Sequence, residues 1–195
     1  MATVPTALAT GTHDRILDAA FEDVAERGLS GSRVERIADR AGVSRQTIYR
    51  YFPSRDDLLT ALLLREEERL LEAVRAAVAA AGTLEEALEE SLVTALRVAR
   101  DHPLLERLLR LEPENVLPYL TTKSAPILDR AREVVSGLLA DRAPTASDRA
   151  IAAAADTAVR LVVSHAIAPQ GEPAEVARTL AAILVPTLRP GRSSR

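Results

Sequence analysis

Residues 32–59 read SRVERIADRAGVSRQTIYRYFPSRDDLL, and the fold is decided here. Ser32 opens a capping box: its hydroxyl is placed to take the amide of Glu35, and Glu35 to reach back to Ser32. Val34, Ile37, Ala38 and Ala41 recur at helical spacing and make one apolar face. Gly42 stops this helix, because glycine enters the left-handed region without a Cβ penalty. Val43 plugs the corner. Ser44 caps a second helix, with Ile48 and Phe52 facing inward. Pro53 ends it.

Ala38, Gly42 and Ile48 sit at helix-turn-helix spacing. The small residue lets two helices cross closely, the glycine allows the turn, and the branched residue locks the second helix onto the first. Any two-helix corner of an all-α protein is the bland alternative, but the outward face of the second helix is distinctive. A recognition helix presents its N-terminal residues to base edges in the major groove. Arg45 suits a bidentate contact to guanine and Gln46 one to adenine. The hydroxyls of Ser44, Thr47, Tyr49 and Tyr51 suit phosphate oxygens, which position a protein without reading sequence. Arg55 can neutralise a further phosphate. For Tyr49 and Tyr51, core packing with a polar tip at the surface is an equal alternative, and both can hold at once.

The run AERGLSGSRVERIADRAGVSRQTIYRYFPSRDDLL (residues 25–59) resembles the TetR family of transcriptional regulators. The likeness is close from about Asp14 to Leu64; beyond that it rests on length and helix count. It implies an all-α chain: a three-helix helix-turn-helix domain followed by a helical ligand-binding and dimerisation domain. It also implies DNA contacts at Arg33, Ser44, Arg45, Gln46, Thr47, Tyr49, Tyr51 and Arg55. Pro53 departs from the family pattern, where a lysine or other polar residue is frequent, and the contact is expected to shift to Ser54 and Arg55.

With 195 residues, 47% hydrophobic and 27% charged, the chain can bury a substantial core. The formal net charge is −3. Between Ser32 and Arg55 six arginines (33, 36, 40, 45, 50, 55) stand against Glu35 and Asp39, a local +4 that leaves −7 for the remainder. A basic face on an acidic body suits site-directed DNA binding. There is no cysteine, and the three histidines (13, 102, 165) are too far apart for metal-ligand spacing. No metal or cofactor is expected. MATVPTALATG lacks the basic start and apolar run of a signal peptide. No stretch reaches the roughly 20 apolar residues of a membrane span, so a cytoplasmic protein without membrane association is expected.

Nine or ten helices are predicted, without strands. Residues 1–11 read as a flexible arm, 12–58 as the helix-turn-helix domain, 59–188 as the ligand-binding and dimerisation domain, and 189–195 as a flexible tail. The first helix buries Ile16, Leu17, Ala20, Phe21 and Val24 and stops at Gly28, with an acidic outer face (Asp14, Asp18, Glu22, Asp23) toward solvent. Ser54 and Asp57 box the start of a helix of about 28 residues, ~40 Å long at 1.5 Å per residue. Its REEER segment (65–69) reads as a solvated face. Thr83 and Glu86 form a third box.

Between Leu96 and Arg132 four prolines (103, 113, 118, 126) interrupt the apolar pattern. Leu96, Leu105, Leu109, Val116, Leu120 and Ile127 offer apolar walls there. His102, Asn115, Tyr119 and Thr122 offer sparse polar anchors, as in small-molecule sites. An ordinary core with a buried tyrosine, and a helix-end role for His102, are the alternatives. The resemblance favours an inducer pocket for a small apolar ligand. In the following helices Ala152, Ala155, Val159, Val162 and Ala166 form a stripe along which two helices approach closely. The stripe either covers the chain's own core or, as the resemblance implies, joins two copies in a four-helix bundle. One short recognition helix reads too few base pairs alone, so a dimer on a palindromic site is expected.

The combined expectation is a homodimeric repressor that a small apolar ligand releases from a double-stranded DNA operator. The alternatives are a regulator controlled by a protein partner or acting constitutively, and an enzyme using the C-terminal cavity. No nucleophile–base pair, metal cluster or phosphate-binding loop supports the enzyme.

Overall fold

A computed structural model describes residues 11–189. The arm and tail expected at the ends lie, apart from Gly11 and Arg189, outside the described residues. Ten helices follow in order: α1 (Thr12–Gly31), α2 (Val34–Ala41), α3 (Arg45–Tyr51), α4 (Arg55–Ala80), α5 (Leu84–Arg100), α6 (Pro103–Leu111), α7 (Pro113–Leu120), α8 (Ala125–Arg142), α9 (Asp148–Ile167) and α10 (Pro173–Leu188). There is no strand among the described residues.

The predicted caps form at α3, α4 and α5. The Ser44 hydroxyl accepts from the Thr47 amide at 3.1 Å. Ser54 with Asp57 and Thr83 with Glu86 each close both halves of their boxes. Gly28 breaks α1 at φ 78°, and a Cβ there would also collide with the Glu112 carboxylate. Gly42 ends α2 at φ 65°, and the Val43 amide closes back onto the Ala38 carbonyl at 3.0 Å.

The start of α2 differs from the sequence reading. Ser32 ends α1, its hydroxyl is buried without a hydrogen bond, and no side chain of α2's own flank caps the helix. Asp23 does so from α1: its Oδ2 accepts from the Arg33 amide at 3.0 Å, and its Oδ1 from Arg36 Nε at 2.9 Å. Asp23 is therefore fully buried rather than solvent-facing. Burial alone would raise its pKa, but the bonds from Arg36 and the Arg33 amide outweigh this and hold the carboxyl below its usual range. The rest of α1's acidic face is also engaged. Glu22 and Glu26 both meet Arg40, and Asp18 meets Arg65 at 2.7 Å.

Two cores result. Ile16, Leu17, Val24, Ile37, Ile48, Phe52, Leu58 and Leu62 gather α1–α3 on the first half of α4. The same core takes in Leu104, Leu108, Val116 and Tyr119 from α6 and α7, which sequence reading assigned to the other domain. The second core joins α5, α9 and α10 through Leu88, Leu92, Leu96, Ala155, Ala181 and Leu184. Val74 and Val78 continue α4 into this half, so the rod belongs to both domains and a boundary at residue 58 cuts through it. α9 is long and apolar enough, on length and hydropathy alone, to cross a membrane, contrary to expectation. Its Ile151, Ala154, Ala155 and Ala158 pack into the second core.

Candidate nucleic-acid interface and ligand cavity

On α3 only Ile48 is buried, at 1% exposure, in the same core as Val34 and Ala38 of α2. That single anchor turns Arg45, Gln46, Tyr49 and Arg50 outward. Tyr49 and Tyr51 are 47% and 42% exposed, so of their two open roles the surface one is available to both. Arg50 lies 5.6 Å over the Tyr51 ring, within cation–π range. Ser44 and Thr47 share a hydroxyl contact of 2.9 Å at the helix start. Arg33 is exposed at the N-terminus of α2, as the residue preceding its first turn.

The local charge is less free than the count suggests. Arg36 is tied to Asp23, Arg40 to Glu22 and Glu26, and Arg45 to Glu35 at 2.9 Å. Arg55 donates to the Leu29 carbonyl, strapping α4 to the end of α1. Of the six arginines, Arg33, Arg50 and Arg55 have no carboxylate partner among the described residues. Glu35 thus pairs with a recognition-helix arginine instead of boxing Ser32.

A cavity of about 220 Å³ lies between α4, α5, α8 and α9, closed at one end by α6 and α7. Of the residues expected around a ligand, His102, Leu105, Val116, Leu120 and Ile127 line it. Leu96 does not; it packs in the second core. Leu109 packs against the first core. Asn115 bonds Glu112 at 3.1 Å, and Thr122 is exposed. Tyr119 is also displaced from the expected site. It is 7% exposed within the first core, its phenol donating to Asp56, while Lys123 reaches the same carboxylate at 3.1 Å. Pro113 starts α7 rather than breaking the chain.

The walls are instead leucine, valine and alanine of the long helices, such as Leu70, Val74, Leu88, Ala95, Val135 and Val162. Five polar residues reach the lining. His102 caps α6, its Nδ1 accepting from the Leu105 amide at 3.2 Å, with Nε2 3.5 Å from Glu66. Glu66 also meets Arg65 and Arg69. Ser91 donates to the Leu88 carbonyl at 3.0 Å, and Arg142 to those of Ala81 and Val78. Glu67 alone has buried oxygens and no hydrogen bond, and burial pushes its carboxyl up to about 7. The REEER segment is thus not a solvated face: the side chains of Arg65 and Glu66 are 17% and 10% exposed. Spacing gives the clue that was missed. Leu63, Glu67, Leu70 and Val74 fall at i, i+4, i+7 and i+11, one helical stripe.

The proposed dimer stripe faces inward. Ala155 is completely buried in the second core, and Val159, Val162 and Ala166 line the cavity. Only Ala152 is exposed. Exposed residues of the two helices include Ala153, Thr157 and Ser164 of α9 and Ala182 and Ile183 of α10, Ile183 being 61% exposed. Asp156 and Arg160 pair at 2.8 Å, as expected from their spacing.

The family description "Bacterial regulatory proteins, tetR family" matches residues 16–62, and "Bacterial Tetracyclin repressor, C-terminal domain" matches residues 72–186. An uncharacterized HTH-type transcriptional regulator of Mycobacterium tuberculosis is 31% identical over 93% of this chain and 87% of its own length. The regulator AlkX of the same organism is 31% identical over 89% of this chain and 83% of its own. The crystal structure of the TetR-family repressor AlkX from a Dietzia strain, implicated in n-alkane biodegradation, superposes with TM-score 0.77 at 27% identity, covering 93% and 97% of the two chains. FadR of Bacillus subtilis in complex with stearoyl-CoA gives TM-score 0.55 at 26% identity, covering 88% and 96%. With an exposed recognition helix on a buried isoleucine, and both halves matched, this chain belongs to the TetR family of bacterial transcriptional regulators, and it is a DNA-binding protein rather than an enzyme.

Proposed function

We propose that the chain is a homodimeric, cytoplasmic repressor that leaves a palindromic operator when an aliphatic ligand enters the cavity. The observation that carries this reading is a shared wall. Leu104, Leu108 and Val116 line the cavity on one side and belong to the DNA-binding core on the other. A ligand that moves α6 and α7 therefore displaces side chains packed against α1 and α4. Packed cores have discrete arrangements rather than a continuum of them, so a small push is passed on as a shift of elements. Reversing occupancy from about 99:1 to 1:99 requires the ligand to discriminate the two states by about 5.5 kcal/mol.

Recognition is assigned to Arg45 and Gln46 against bases, with Arg33, Ser44, Thr47, Tyr49, Tyr51 and Arg55 on phosphates. Arg45 must exchange Glu35 for guanine as it binds. The dimer forms through the exposed residues of α9 and α10. The aliphatic walls suit an aliphatic effector, a reading supported by the stearoyl-CoA bound to the B. subtilis relative and the n-alkane context of the Dietzia repressor.

The test is binding of the chain to the DNA upstream of its own gene, by fluorescence anisotropy beside random DNA of equal length. The parent is expected to prefer the former. Arg45→Ala and Gln46→Ala should each lose about 1–3 kcal/mol of that preference. If both variants bind the two DNAs as the parent does, the recognition assignment fails.

A further inference from the structure

We infer that the cavity takes an aliphatic amine, whose ammonium head pairs with the Glu67 carboxylate while its chain lies among the leucines and valines of α4, α5, α8 and α9. The inference rests on the reading of this cavity as the effector site. It identifies, of the five polar side chains on the lining, the one that has no hydrogen-bond partner among the described residues.

Both Glu67 oxygens are buried, and among the described residues neither receives a hydrogen bond. Every other polar side chain on the lining is committed. His102 caps α6, Glu66 is paired with arginines, Ser91 donates to a carbonyl, and Arg142 holds the end of α4. A buried carboxyl without a donor is costly, and a ligand that supplies the donor recovers that cost as affinity. An ammonium brings three donors and the opposite charge, making the stronger, charge-assisted bond. An alcohol brings one donor and no charge. A carboxylate or phosphate head meets Glu67 as a like charge and finds no uncommitted cation on the lining.

The charged groups around Glu67 leave this choice open to the ligand. Arg130 of α8 draws Glu67 toward ionisation and Glu68 opposes it, but Arg130 is itself bonded to Glu68. Glu66, the residue before Glu67 on α4, and His102 face each other at 3.5 Å. With burial holding its carboxyl near 7, Glu67 is divided between neutral and ionised forms around neutral pH. An ammonium beside it selects the ionised form and releases a proton.

The full chain is titrated calorimetrically with n-octylamine, 1-octanol and octanoate, beside Glu67→Gln and the cavity-filling Ala95→Phe. The amine should bind about tenfold to a hundredfold more tightly than the alcohol. Glu67→Gln should lose that preference yet bind octanol as the parent does, and Ala95→Phe should bind none of the three. Amine affinity should rise from about pH 6 to pH 8 in the parent and stay flat in Glu67→Gln. An amine no tighter than the alcohol, tighter octanoate, or an intact amine preference in Glu67→Gln overturns the inference while the cavity reading stands. If no probe binds the parent, or Ala95→Phe binds them equally well, the cavity reading falls and this inference with it.

Discussion

The phenol of Tyr119 donates a hydrogen bond to the carboxylate of Asp56, joining α7 to the first turn of α4 across 63 residues. Lys123 completes the contact, its Nζ 3.1 Å from Asp56 and 5.3 Å from the centre of the Tyr119 ring. The bond from Tyr119, then that from Lys123, holds Asp56 below the usual carboxylate range. Burial, then Asp56, pushes the phenol up to about 12. Tyr119 therefore stays a donor throughout the physiological range.

Tyr119→Phe removes that donor without opening a cavity, and should lower stability by about 1 kcal/mol in urea melts. Because Tyr119 does not line the cavity, effector affinity should be unchanged. The loss of DNA binding caused by effector should shrink, since α7 then moves without pulling on α4. An undiminished effector response in anisotropy assays would rule out this route of coupling.

Asp23 caps α2 from inside the core. Asp23→Asn should cost about 1–3 kcal/mol at pH 7, from weakened bonds to Arg33 and Arg36. The sign with pH is fixed by the direction of its shift. A carboxyl held low in the folded state stabilises the fold above its unfolded pKa, and that stability is lost as pH falls through the folded value. The gap between parent and Asp23→Asn should therefore narrow on acidification, as read by chemical denaturation over a pH series.

Glu67 acts in the opposite direction. Its carboxyl, held near 7 against an ordinary value of 4.5, binds its proton more tightly folded than unfolded. As pH rises between those values the parent should lose stability and then level off. Glu67→Gln lacks the titration, so it should match the parent near pH 5 and exceed it at pH 8. A parent whose stability is flat across that window would show that Glu67 is not buried in solution.

Glu35 holds Arg45 at 2.9 Å on the exposed face of the motif. Glu35→Gln frees the arginine and removes a negative charge near the phosphates. DNA affinity should rise about twofold to fivefold at low salt, with the gain shrinking as salt is added. Equal affinities at every salt concentration would mean that the ion pair does not compete with DNA.

The sequence by itself determined the helices and the reading head. Ser44, Ser54 and Thr83 find their partners three residues away, and Gly28 and Gly42 break helices by local backbone freedom, so the information is contained within one turn. Ile48 was legible as the anchor of α3 because spacing fixes which face is buried. The cap of α2, the wall shared by cavity and reading head, and the direction of α9's small-residue stripe were decided only by tertiary structure. Asp23 meets Arg33 because two helices cross, and α6 and α7 join the first core because α1 packs on them. Ala155 and Val159 turn inward because α9 is apolar around most of its surface, so helical period alone cannot choose its buried side. Glu67 shows the boundary between the two. Its place on the stripe of Leu63 and Val74 is local and readable, but the lack of a partner depends on the side chains that the five other helices lining the cavity bring near it.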